Sequence, residues 1–170
     1  TSHGGVVLAD GTVAQVALDF DTLKTLSEIA RKEYGLAGAV QHGASTLPAE
    51  AFHKFAETET AEVHLATEFQ NMIYESKHFP AELRTKIYTW LKTNCQDERK
   101  ADESEEQFIY KTRKKALGPF KKEIMGLAND LRAAIAGEIE RKFDFLFKQL
   151  NNINNKDLVD KYVTLKRVIV

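Results

Sequence analysis

The first half of the chain alternates short apolar runs with windows of helical spacing, and this order constrains the fold more than any other feature. Residues 36–41 predict a small buried strand, because the run is short, apolar and bounded by glycine. Residues 61–67 predict a second strand. Apolar residues spaced by three or four predict three helices, over 22–34, from Pro48 and from about 68. Asp21 is the expected cap of the first helix.

This strand–helix–strand–helix order is typical of parallel α/β folds. A closed parallel barrel needs about eight strands, and two strands alone do not make a stable sheet in water. We therefore predict the end of a barrel in residues 1–79, followed by a helical C-terminal extension in residues 80–170. Within the extension, apolar residues step by three or four and predict one long helix over 119–150. Because the chain opens on Thr1, it is expected to be a fragment, a processed product or a trimmed chain.

The charge balance and the cysteine content exclude several classes of protein. With 24 Lys and Arg against 25 Asp and Glu, the formal net charge is −1, so the chain lacks the basic field of nucleic-acid and membrane-surface proteins. Cys95 is the single cysteine, so an intrachain disulfide is impossible and a reducing, cytoplasmic location is expected. No apolar run approaches the roughly 20 residues of a membrane span. We expect neither a nucleic-acid nor a membrane partner.

Two histidine–glycine pairs, His3–Gly4 and His42–Gly43, carry the clearest chemical signal. Imidazole is the commonest protein ligand for metals, and glycine lets the backbone approach a bound anion. The Ser45 hydroxyl and the backbone N–H groups before the next predicted helix are suited to holding a phosphate. One such pair alone is more often a polar loop than a metal site. Two pairs in successive units are more informative, because both open on the carboxyl-terminal face of a parallel barrel, where active sites form.

Three segments resemble the C-terminal part of the class II, metal-dependent ketose-bisphosphate aldolases: Ser-His-Gly at 2–4, Val-Gln-His-Gly-Ala-Ser at 40–45 and Glu-Val-His-Leu-Ala-Thr at 62–67. That family has a His-Gly pair after its sixth strand, a His-Gly-Gly-Ser-Gly segment after the seventh and an Asn-Ile-Asp-Thr-like segment at the eighth. The resemblance covers about residues 1–75. It implies an α/β fold that is the C-terminal portion of a TIM (β/α)8 barrel, from the end of strand 6 to helix 8.

The resemblance also implies a lyase that cleaves or forms an aldol bond in a phosphorylated ketose, the expected substrate. His3 and His42 would be two of its three metal ligands, and zinc is the expected ion, which would polarise the ketose carbonyl as a Lewis acid. Four residues would hold the substrate phosphate: Gly4, Gly43, Ser45 and Thr67. The third ligand and the general base lie on earlier strands in the family. The missing N-terminal barrel half is therefore an expected partner, and the catalytic base is unassigned.

Departures from the family pattern leave alternatives open. His64 stands where the family has asparagine and Ala66 where it has aspartate, and both positions touch substrate in the family. His64 is therefore a core histidine, a substrate contact or an extra ligand. The alternative function is an aldolase-like scaffold or assembly module with altered or lost catalysis. A homo-oligomer formed through the C-terminal helices is expected.

Overall fold

The computed structural model describes residues 8–9, 18–44 and 47–164, and these residues are mostly helical. In chain order the helices and strands are α1 (Phe20–Tyr34), β1 (Val40–Gln41), α2 (His53–Glu57), β2 (Glu62–Val63), α3 (Thr67–Glu75), α4 (Ala81–Asn94), α5 (Glu105–Thr112), α6 (Lys121–Met125), α7 (Asn129–Gln149) and α8 (Lys156–Tyr162). Over the described ranges the fold is therefore helix-rich, with a two-stranded sheet. None of the described helices combines the length and apolar character needed to cross a membrane.

The two strands pair in parallel, as their order along the chain predicts. Val40 lies opposite Glu62, and Gln41 lies opposite Val63. One residue past β2, the backbone N–H of His64 donates to the Gln41 carbonyl at 2.8 Å. The hydrogen-bonded ladder therefore extends to the point where both strands end.

Each strand is shorter than its predicted run. The strand predicted over 36–41 begins late because Gly38 has a φ of 146°, which lies outside the extended region that a strand uses. A side chain at Gly38 would meet the Glu59 carbonyl at 3.0 Å. The strand predicted over 61–67 ends early because α3 already begins at Thr67. Two residues per strand remain for the sheet.

The N-terminal cap of α1 is Asp19, and the prediction that Asp21 caps this helix is wrong. The Asp19 carboxylate accepts hydrogen bonds from the Thr22 hydroxyl at 2.6 Å and from the Thr22 backbone N–H at 3.0 Å. These two bonds lower the pKa of Asp19. The helix ends at Tyr34, and the capping residue Gly35 has a φ of 64°, the left-handed conformation that glycine adopts readily.

Two apolar cores stabilise the fold. The helical core contains Tyr74, Phe79, Ile87, Leu91, Cys95, Phe108, Ala116, Phe120 and Ile135. The strand-side core contains Leu23, Ala44, Leu47, Phe52, Phe55 and Leu146. Helix α7 contributes to both, with Ile135 in the helical core and Leu146 in the strand-side core. It therefore connects the extension to the part of the chain that carries the sheet.

A buried arginine ties α3 to the segment after α5. The Arg113 guanidinium donates to Asn71 Oδ1 and to Glu75 Oε1, and it lies 4.7 Å from the centre of the Tyr110 ring. The Tyr74 hydroxyl donates to the Arg113 backbone carbonyl at 3.1 Å. Because a buried charge without partners is costly, these contacts fix the position of α3 against the extension.

The prediction of one long helix over 119–150 is wrong, because α6 and α7 divide this range. After α6 the backbone N–H of Gly126 donates to the Lys122 carbonyl at 2.8 Å. Ala128 then has a ψ of 144°, which is extended, before α7 begins. The apolar spacing hides this break, because residues on both sides of it pack against the helical core.

Candidate functional site

Two histidine rings meet at the carboxyl ends of the parallel strands. His42 follows β1 directly and His64 follows β2 directly, so the pairing of the strands brings both residues to one edge of the sheet. The ring centroids are 4.3 Å apart and the ring planes make an angle of 78°. The two imidazoles therefore touch, edge to face, at the position where the sequence predicts a site.

A carboxylate contacts the second of these rings. Glu62 lies two residues before His64, and its Oε1 is hydrogen-bonded to the His64 Nε2. Residues two apart in a strand lie on the same side of a sheet, which accounts for the contact. The side chains of both residues are well exposed, at 61% for Glu62 and 44% for His64, so both are accessible from solvent.

An open cavity of about 590 Å³ lies beside the histidine pair. Its lining residues are His42, Gly43, Val63, His64, Leu65, Ala66 and Thr67. Gly43 has a φ of 66°, a conformation that favours glycine and turns the chain sharply after β1. Thr67 is the first residue of α3, and no side chain caps that helix. Uncapped backbone N–H groups at a helix start favour an anion.

The cavity therefore gathers four of the residues singled out in the sequence: His42, Gly43, His64 and Thr67. His3, Gly4 and Ser45 lie outside the described residues. Within the described ranges, no three His, Cys, Asp or Glu side chains form a group that could hold a metal ion. The donor set at the cavity is two imidazoles with a carboxylate behind one of them. This set suits a divalent cation such as zinc as a partial site that needs further ligands.

A second cavity, of about 500 Å³, shares Thr67 with the first. Lys100, Lys111 and Lys114 line it, together with Gln70, Asp102, Glu103, Gln107 and Tyr110. Lys111 Nζ bonds both carboxylate oxygens of Glu103 at 2.7 Å, and this bond lowers the pKa of Glu103. Sequence reasoning missed this cavity, because the residues come from separated segments. The basic residues at 111–115 are the sequence feature that could have indicated this cavity.

Protein-family models, curated protein sequences and solved structures were each compared with the chain, and none of them matches it. The interpretation of the site therefore depends on its own residues and geometry. Two features matter most: the contact of His42 with His64, and the shared edge of two parallel strands.

Proposed function

We propose that this chain belongs to a metal-dependent lyase of the class II aldolase type, which cleaves or forms an aldol bond in a phosphorylated ketose. The observation that carries the proposal is the meeting of His42 and His64 in one cavity at the carboxyl ends of two parallel strands. Active sites of (β/α)8 barrels lie at that edge of the sheet. In this proposal β1 and β2 are strands seven and eight of a barrel, and α3 is its eighth helix.

The residues of the chain have two tasks in this proposal. His42, together with His3, holds a divalent ion, for which zinc is expected because imidazole suits it. The bound ion supplies Lewis-acid polarisation of the ketose carbonyl. Four residues hold the substrate phosphate: Gly4, Gly43, Ser45 and Thr67. A phosphate held by backbone N–H groups in this way orients the reacting carbons of the substrate.

The remaining groups come from elsewhere in the barrel. Because a barrel needs more strands than the two described, the proposal assigns the third metal ligand and the general base to an N-terminal barrel half. That half would pair with a free edge of the sheet, since unpaired strand edges associate with other strands. The proposal also locates the enzyme in the cytoplasm, where the buried thiol of Cys95 stays reduced.

The test is the zinc content of the native full-length protein and its cleavage of a panel of phosphorylated ketoses, fructose 1,6-bisphosphate among them, measured as triose phosphate release. We expect stoichiometric zinc and cleavage in the unchanged protein, and the loss of both in His42→Ala. His53→Ala is the matched control. His53 is a half-exposed histidine on α2 with a glutamate, Glu57, 3.7 Å away, but it does not line the cavity. Native protein without zinc, or His42→Ala with full zinc and activity, would overturn the proposal.

A second candidate function, an assembly module, is favoured by the aromatic surface of α7. Phe143 and Phe147 are 42% and 48% exposed, and Phe143 stacks on Phe69 with ring centroids 4.6 Å apart. Clustered exposed aromatic side chains are typical of association surfaces, and a homo-oligomer through the C-terminal helices would cover them. Under this alternative, Phe147→Ser lowers the mass measured by light scattering, and the native protein carries no stoichiometric zinc.

A further inference from the structure

Glu62, His64 and His42 form a row of contacts across the carboxyl edge of the sheet. The Glu62 carboxylate is hydrogen-bonded to His64 Nε2, and the His64 ring lies against the ring of His42. The backbone of His64 is itself tied to β1 through its bond to the Gln41 carbonyl. The row therefore joins one carboxylate to two imidazoles on a backbone that the strand pairing fixes.

The contact with Glu62 decides which nitrogen of His64 is free. An ionised carboxylate only accepts hydrogen bonds, so the tautomer of His64 that satisfies this contact with an ionised Glu62 carries its proton on Nε2. In a neutral imidazole the other nitrogen, Nδ1, then keeps its lone pair. Metal-bound histidines donate their second nitrogen to a carboxylate in the same manner, and this bond fixes the ring orientation and raises the basicity of the ligand.

We propose that His64 is a further imidazole ligand of the ion held at His42, and that Glu62 is the positioning residue that orients His64. This inference rests on the proposed function. Both rings line the same cavity. Two imidazoles on one ion must lie close together, because each metal–nitrogen bond is about 2.0–2.1 Å long. The ring centroids of His42 and His64 are 4.3 Å apart, which is close enough for this requirement.

The other described histidines lack this arrangement. His53 Nε2 is 3.7 Å from Glu57 Oε1, and His78 Nε2 is 3.9 Å from Glu138 Oε1. Both distances exceed the range of a hydrogen bond, and neither histidine lines the cavity of His42. The pair of His53 and Glu57 is therefore a matched control for the pair of His64 and Glu62.

The experiment measures Co²⁺ binding by the native full-length protein, with Co²⁺ alone as the probe. Affinity comes from titration of the visible absorption, and the number of bound imidazoles comes from X-ray absorption. His64→Asn should weaken Co²⁺ binding by about 100-fold or more and remove one imidazole from the ion. Glu62→Ala should weaken binding by about 10–100-fold, the usual effect of losing such a partner, without changing the imidazole count. Glu62→Gln should recover part of the affinity, because its carbonyl oxygen still accepts the bond.

The outcomes separate this inference from the proposed function. If His42→Ala loses Co²⁺ while His64→Asn and Glu62→Ala bind as the unchanged protein does, the inference fails and the proposed function stands. If His42→Ala binds normally, or the unchanged protein binds no Co²⁺, the proposed function fails and the inference fails with it. Glu57→Gln should change neither measurement. Circular dichroism of each variant identifies any loss of binding that comes from misfolding.

Discussion

The helical core and the sheet edge use their polar groups in opposite ways. Tyr74 in the helical core and Thr112 beside it are fully buried. Their hydroxyls donate to the carbonyls of Arg113 and Phe108, respectively. At the sheet edge the polar side chains are half exposed, and His64 keeps one ring nitrogen that no described contact uses. The helical core therefore uses its polar groups to fix the fold.

This difference indicates where a ligand can bind. A hydroxyl whose hydrogen bond is already made inside a core offers little to a ligand, and exposing it would cost stability. A histidine at the end of a strand has its backbone fixed and part of its side chain free. The two-residue strands supply little burial, but they hold two imidazoles together. The hydrogen bonds that stabilise the fold and the accessible imidazoles thus lie in different regions of one chain.

The strongest test of this comparison removes a large side chain from the helical core. Phe108 is fully buried, so Phe108→Ala should lower the free energy of unfolding by about 3–5 kcal/mol through lost burial and a residual cavity. Chemical denaturation of the native protein measures this change. The control is Phe147→Ala, at a position 48% exposed, where about 0.5–1 kcal/mol is expected. Equal losses at both positions would show that the helical core does not dominate stability.

Alkaline pH tests the same core through one hydroxyl. Burial raises the pKa of Tyr74 to about 12, above its value of about 10 in an unfolded chain. The neutral phenol is favoured in the folded state, so this contribution to stability is complete below pH 10 and disappears as the pH rises toward 12. We expect a loss of about 2–3 kcal/mol over this interval. Unfolding free energies of the unchanged protein and Tyr74→Phe measure it by difference, and parallel curves for the two would contradict it.

On the strand side, Gly38 tests how closely the chain segments before β1 and β2 approach each other. Gly38→Ala should cost about 1–3 kcal/mol, because the φ of 146° is unfavourable and the new methyl would lie 3.2 Å from the Ala61 Cβ. Gly35→Ala is the control: its φ is 64° and nothing lies within 4 Å, so only the backbone penalty remains. Denaturation and hydrogen exchange at β1 and β2 measure both. Equal costs would mean that the close approach is not needed.

The smallest expected effect concerns the start of α5 in the extension. The Ser104 hydroxyl accepts the backbone N–H of Gln107 at 3.2 Å, and Gln107 Oε1 accepts the Ser104 N–H at 3.1 Å. Ser104→Ala removes one half of this capping box and should cost about 1 kcal/mol. Thr93→Ala, an exposed hydroxyl on α4, should change stability by less than about 0.5 kcal/mol. Thermal unfolding compares the two variants. An unchanged midpoint for Ser104→Ala would show that the cap does not stabilise the protein.

The sequence predicts the helices better than the strands. Periodic apolar positions locate α1 and the start of α3 to within a few residues, because helical burial depends on spacing along one segment. The first strand is shortened by the conformation of Gly38 and the second by the start of α3 at Thr67, and apolar spacing reveals neither. The break near Gly126 is missed for a related reason: a short non-helical turn keeps neighbouring apolar residues on the same core.

The candidate site is predictable where it depends on strand order. Parallel strands end at one edge, so the residues that follow them, His42 and His64, are expected to be neighbours. The contact of Glu62 with His64 is not among the sequence predictions, although the two-residue repeat of a strand places both residues on one side of the sheet. The lysine-lined cavity joins Thr67 to a lysine from each of two separated segments, Lys100 and Lys111. Local patterns do not contain such distant contacts.

Helix α7 has 21 residues, about 31 Å of rigid rod at 1.5 Å per residue, and it is anchored at Ile135 in one core and at Leu146 in the other. Rotation of one end must therefore rotate the other. A single alanine inserted between the two anchors would turn the second half by about 100°. That turn would move Leu146 out of the strand-side core while the helical core stayed intact, and the two imidazoles would lose their common support without any change to their own residues.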